Sequence, residues 1–153
     1  MLTKIKRIME KNMAQDSGGG HSGEAIRLAA AALLVEVMRM DKQADEAERG
    51  AVARILRERF RLSAGECDEL IAMAEEKVDE SAEYYQFTSH INQAFSMPEK
   101  EKMIEYLWQV AYADGQLHRH EEHLVRKIAG LIGVSHKAFI AAKHRARGAG
   151  ENP

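Results

Sequence analysis

LVEVMRMDKQADEAERGAVARIL, residues 34–56, and LWQVAYADGQLHRHEEHLVRKIA, residues 107–129, read as one pattern written twice, 73 positions apart. In each, an apolar helical run stops at an aspartate, Asp41 or Asp114, and a polar turn leads to a glutamate, Glu48 or Glu121, that opens the next helix. The two stretches match Leu34 with Leu107, Val37 with Val110, Asp41 with Asp114, Gln43 with Gln116, Glu48 with Glu121, Val52 with Val125 and Ile55 with Ile128. Seven identities in 23 positions exceed the roughly one or two that average composition gives by chance. The expected fold is an all-α compact helical bundle built from two pseudo-repeated helix-turn-helix halves.

Outward from the repeat, helical periodicity continues, with two prolines and no alternating strand pattern. Ile26, Ala30, Leu33, Leu34 and Val37 form one apolar stripe ending near Met40. Asp45 and Glu48 have capping-box spacing ahead of Val52, Ile55, Leu56 and Phe60, and Ser63 with Glu66 repeats that spacing before Leu70, Ile71, Met73, Ala74 and Val78. A helix over about Tyr84–Phe95 follows. Ser96-Met97-Pro98-Glu99 then joins a serine cap, a first-turn proline and a glutamate at the head of the next helix. Two last helices are expected over Arg119–Ile132 and Ser135–Arg145, with short connections that imply antiparallel neighbours. The expected boundaries are 1–23 for an N-terminal amphipathic helix and Gly-rich linker, 24–147 for the helical domain and 148–153 for a flexible tail.

At 153 residues one domain can bury roughly 70% of its unfolded surface unaided. Twenty-two basic against 24 acidic residues give no overall field to draw nucleic acid, and none is expected as a partner. Cys67 is the only cysteine, so an intramolecular disulfide and a cysteine zinc cage are excluded and a reducing compartment fits. No apolar stretch approaches a membrane span, and the expected location is cytoplasmic. The N-terminal face of Leu2, Ile5, Ile8 and Met9 is expected to dock on the body, on a second copy to give a homodimer, or peripherally on a membrane surface.

Asp41 and Asp114 sit at helix C-termini, where the macrodipole disfavours an anion. One reading is that each accepts N–H groups of its own turn. The other is that the repeat sets the turns side by side, so that Asp41, Asp45, Glu48, Asp114 and Glu121 surround a divalent cation. Oxygen donors suit calcium, magnesium or manganese, with zinc the weaker candidate. The spacing is not that of an EF-hand loop. His118, His120 and His123 with Asp114 make a second, nitrogen-rich candidate, against which stands a solvated first turn whose Glu121 and Glu122 favour the helix dipole. Trp108, Phe95 and Phe87 fall at core spacings, and Tyr84, Tyr85 and Tyr112 are candidates to line a groove between halves. Lys137, Lys143, His144, Arg145 and Arg147 match dipole compensation at a helix C-terminus, with a weak anion-binding patch as the alternative.

At Ala111-Tyr112-Ala113-Asp114-Gly115, followed by Glu121 and the apolar run from Leu124 to Leu131, the chain resembles the tellurite-resistance TerB-like family. Asp41, Asp45 and Glu48, the Tyr85-Gln86-Phe87-Thr88 segment and Phe139-Ile140-Ala141-Ala142 extend the resemblance over about residues 24–145. It implies a helical fold of two related halves, paired acidic motifs that bind metal ions, and a role in tellurite or chemical-stress response, with no catalytic reaction. Lys42 at the glycine position of the first turn and His118 at a position usually small or acidic depart from the pattern. The expected function is a non-enzymatic module binding a metal ion, an unknown partner protein or both. Its rivals are a metal-dependent hydrolase using His118 or His120 as acid or base, and a structural adaptor that holds no metal.

Overall fold

A computed structural model describes residues 23–40, 46–80, 85–113, 115 and 117–151. The expectations for the N-terminal segment, for Asp41, Asp45 and Asp114 and for Tyr84 fall outside the described residues. Among those residues the chain is all-α: α1 (Gly23–Arg39), α2 (Glu46–Phe60), α3 (Ala64–Glu80), α4 (Tyr85–Ala94), α5 (Met97–Ala111), α6 (Arg119–Leu131) and α7 (His136–Glu151).

Helix α1 is the centre of the bundle. It packs on α2, α3, α4, α5 and α6, while α5 packs on α1, α2, α6 and α7. Residues 28–35 are buried without a break, so α1 is apolar round its whole circumference and not only along the stripe its periodicity suggests. Ala29, Ala30, Ala31 and Ala32 keep its outline narrow enough for several neighbours to approach. Leu28, Leu33 and Leu34 from α1, Ile55 and Leu56 from α2 and Ile104, Leu107 and Trp108 from α5 fill the space between. Each such side chain contributes about 1.5–3 kcal/mol on burial. The Trp108 indole N–H donates to the carbonyl of Phe139 at 3.3 Å, and its ring lies 5.0 Å from that of Phe139. That contact fastens α7 to α5.

Local chemistry fixes the helix ends. Ser63 accepts from the N–H of Glu66 at 3.2 Å while its own N–H donates to Glu66 Oε1 at 2.9 Å. Ser96 and Glu99 make the same reciprocal pair at 3.3 and 2.8 Å, and Ser135 accepts from the N–H of Ala138 at 3.1 Å. Helix α6 stops where Gly133 takes φ 76° and the next N–H, of Val134, returns to Ala129 at 2.9 Å, a left-handed exit that glycine adopts at little cost. Helix α7 runs on to Glu151, past the Arg145 at which the sequence pattern ends it. Its apolar side runs from Ala142 to the buried Ala146, one turn on and just past Arg145.

Ser96→Ala leaves Pro98 in place but removes one acceptor, and is expected to cost about 1 kcal/mol of stability in urea unfolding. Ser63→Ala should cost about as much. The two should add, because the caps begin different helices; losses below about 0.2 kcal/mol for both would contradict the capping role.

Candidate functional site

Glu48 and Glu121 are each the third residue of a helix, α2 and α6 respectively. Both are taken out of water, at 0% and 1% exposure, and none of their four carboxylate oxygens meets solvent. A first-turn position favours an anion through the helix dipole. That gain is small beside the several kcal/mol that desolvating a carboxylate costs before compensation. Neighbouring Glu46 stays exposed, and Glu122 is half-buried beside Lys143, 3.5 Å away. The solvated first turn read from the sequence therefore holds for Arg119, His120 and His123, which are exposed. It is corrected for Glu121, which faces the bundle.

An open cleft of about 500 Å³ lies beside the start of α2. It is lined by Ala47, Ala51 and Arg54 of α2, by Gln109, Tyr112, Ala113 and Gly115 of α5 and the turn after it, and by Ala146 of α7. Ala47 precedes Glu48 in the chain, and Ala113 and Gly115 flank Asp114. The cleft thus joins the first turn of one helix-turn-helix stretch to the aspartate turn of the other. Its walls are small where the alanines face it and polar where Arg54 Nη2 reaches Gln109 Oε1 at 3.5 Å. The turn is shaped by Gly115 at φ 85°, whose N–H donates to Tyr112 O at 2.9 Å. The Tyr112 ring lies over Trp108 at 6.0 Å.

One helical turn before Gln109, Glu105 is held by Arg145 Nε at 2.6 Å and Lys102 Nζ at 2.9 Å, with Gln109 Nε2 at 3.5 Å. Burial alone would push this carboxyl up. The bonds and charges of Arg145 and Lys102 outweigh it and hold Glu105 below the usual glutamate range. Glu36, half-buried on α1, goes the other way, since its burial outweighs the attraction of Arg39 and raises it.

Of the five candidate ligands, Glu48 and Glu121 fall within the described residues and Asp41, Asp45 and Asp114 do not. Among the described residues no group of three or more His, Cys, Asp and Glu side chains is placed to hold a metal ion. His118 takes the extended N-cap position of α6, with φ −88° and ψ 141°. Cys67 is buried, its Sγ 3.5 Å from the carbonyl of Ala53. Burial, with Asp68 adding to it, pushes the thiol up and away from the reactive thiolate. Tyr112 lines the cleft as a groove residue should. The contacts that join Arg54 to Gln109 and Glu105 to Arg145 carry no local signal, because they span 55 and 40 positions.

No helix among the described residues is long and apolar enough to cross a membrane. A family model described as Tellurite resistance protein TerB matches residues 27–144. No curated protein and no solved structure matches the chain. The matched span contains Glu48, Glu105, Glu121 and every cleft residue except Ala146.

The two shifted carboxyls give opposite pH signatures. Glu105, held low, contributes stability above the ordinary glutamate value of 4.5 that is lost as pH falls through its folded value. Glu36, raised, costs stability once it ionises above 4.5. Glu105→Gln is therefore expected to destabilise at about pH 7 and have little effect at about pH 3, and Glu36→Gln to stabilise at about pH 7 and not at about pH 3. Chemical denaturation across that range checks both signs.

Proposed function

Taking as premise that the chain belongs to the TerB family, we propose that it is a non-enzymatic, cytoplasmic module that binds a divalent cation and, through that site, a partner protein in tellurite or chemical-stress response. The ligands are Asp41, Asp45, Glu48, Asp114 and Glu121. The observation that carries the reading is the single cleft shared by Ala47, beside Glu48, and by Ala113 and Gly115, on either side of Asp114. The cleft is thus reached from the first turn of α2 and from the residues on either side of Asp114. The helix pairing supports the pseudo-repeat behind it: α1 carries α2 and α3 as α5 carries α6 and α7, and α2 crosses to α5 as α6 crosses to α1.

Carboxylates gathered at the edge of a bundle repel one another unless a cation stands among them. An all-oxygen set suits calcium, magnesium or manganese better than zinc.

A cation that binds only the folded chain stabilises it by about 2.7 kcal/mol at a hundredfold excess over Kd, or roughly 5–10 °C in Tm at this size. Calcium, magnesium or manganese should give that rise, zinc less, and a chelator should reverse it. Asp114→Asn should weaken binding more than Asp41→Asn, because Gly115 takes a positive φ that Lys42 would resist. Glu48→Gln and Glu121→Gln should each abolish the metal-dependent shift. If calorimetry detects no ion bound below millimolar concentration, the metal reading fails and the acidic turns serve the fold alone.

A further inference from the structure

The exposed residues of α6 include no acid, and its half-buried Glu122 lies about 40° beyond Arg126. Arg119, His120, His123, Arg126 and Lys127 are all exposed, and at about 100° per residue they share one arc of the helix. The outward side of α3 is its opposite. Asp68, Glu69, Glu75, Glu76 and Asp79 are exposed or half-buried within an arc of roughly 120°, and Lys77, the only base of that helix, lies about 80° beyond it. The two stripes also share a spacing: an ionisable pair, a single position, then a second ionisable pair. Laid antiparallel, Asp68 meets Lys127, Glu69 meets Arg126, Ala72 meets His123, Glu75 meets His120 and Glu76 meets Arg119. Gly65 and Gly130 face each other at one end, leaving room for close approach.

We propose that the basic face of α6 docks antiparallel on the acidic face of α3 of a second copy of this chain. Both faces belong to the same molecule and both look to solvent. With a net charge of only −2, copies meet little overall repulsion. Glu75 and Asp79 are already held by Arg49 at 2.9 Å and Arg39 at 2.6 Å, and Arg126 lies over the Phe139 ring at 5.8 Å, so the contact between copies competes with contacts inside each copy. Exposed ion pairs are individually weak and screened by salt. The association is consequently reversible, concentration-dependent and lost at high ionic strength. It is independent of the cation reading and stands or falls separately.

Sedimentation of the full chain with a chelator present tests it. The weight-average mass should rise with concentration at low salt and return to that of the monomer at about 0.5 M salt. Asp68→Lys with Glu69→Lys, and separately Arg126→Glu with Lys127→Glu, should each leave a monomer of unchanged helicity. Mixing the two variants should restore association, because each then offers the other both a native and a reversed pairing. A wild type that stays monomeric at low salt, a variant that self-associates as the wild type does, or a mixture that stays monomeric overturns the proposal. So does a wild type that binds phosphatidylglycerol vesicles or duplex DNA through Arg126 and Lys127 while remaining monomeric.

Discussion

Helix α1 is surrounded by α2, α3, α4, α5 and α6, and a helix covered from so many directions can offer polar groups to almost none of them. Its sequence meets that constraint with alanines where neighbours come close and with Leu28, Leu33, Leu34, Val37 and Met38 where space must be filled. Close packing then transmits position, since interiors at crystal-like density leave little room for sliding. With α1 against α5, and with α2 crossing to α5 and α6 to α1, the starts of α2 and α6 are set by the same central pair.

That geometry leaves an open cleft between α2, α5 and α7. Glu105 illustrates how the chain keeps a mostly buried carboxylate charged: two cations, Arg145 and Lys102, hold it from opposite helix positions. Glu48 and Glu121 lie deeper and at helix starts, where the dipole favours an anion. On the proposed reading a cation adds positive charge there, and the cleft lined by alanines gives it access. The cleft wall is apolar at Tyr112, whose ring lies over Trp108, and polar where Arg54 meets Gln109.

What could be read from the residues depended on how far each feature reaches along the chain. The capping boxes of Ser63 and Ser96 span four residues apiece and are legible at sight, as are the helices they open. The TerB likeness was legible too, because it rests on short motifs at Asp114-Gly115 and their echo at Asp41. The full burial of α1 was less so: periodicity selects a stripe, and alanines on the remaining sides suit a buried helix as well as an exposed one. Glu121 beside Glu122 looks like an ordinary acidic first turn, and only packing separates the buried residue from the half-exposed one. The cleft is assembled from three helices and a turn, so no local pattern announces it.

The central claim is that acidic residues from both halves share one cation. It is tested most directly by diffraction from crystals grown with manganese, using the metal's anomalous signal to locate it. The account requires an anomalous peak beside the cleft, within about 2.5 Å of carboxylate oxygens from both the Asp41–Glu48 and the Asp114–Glu121 segments. Manganese bound by one segment alone, or at neither, would contradict it.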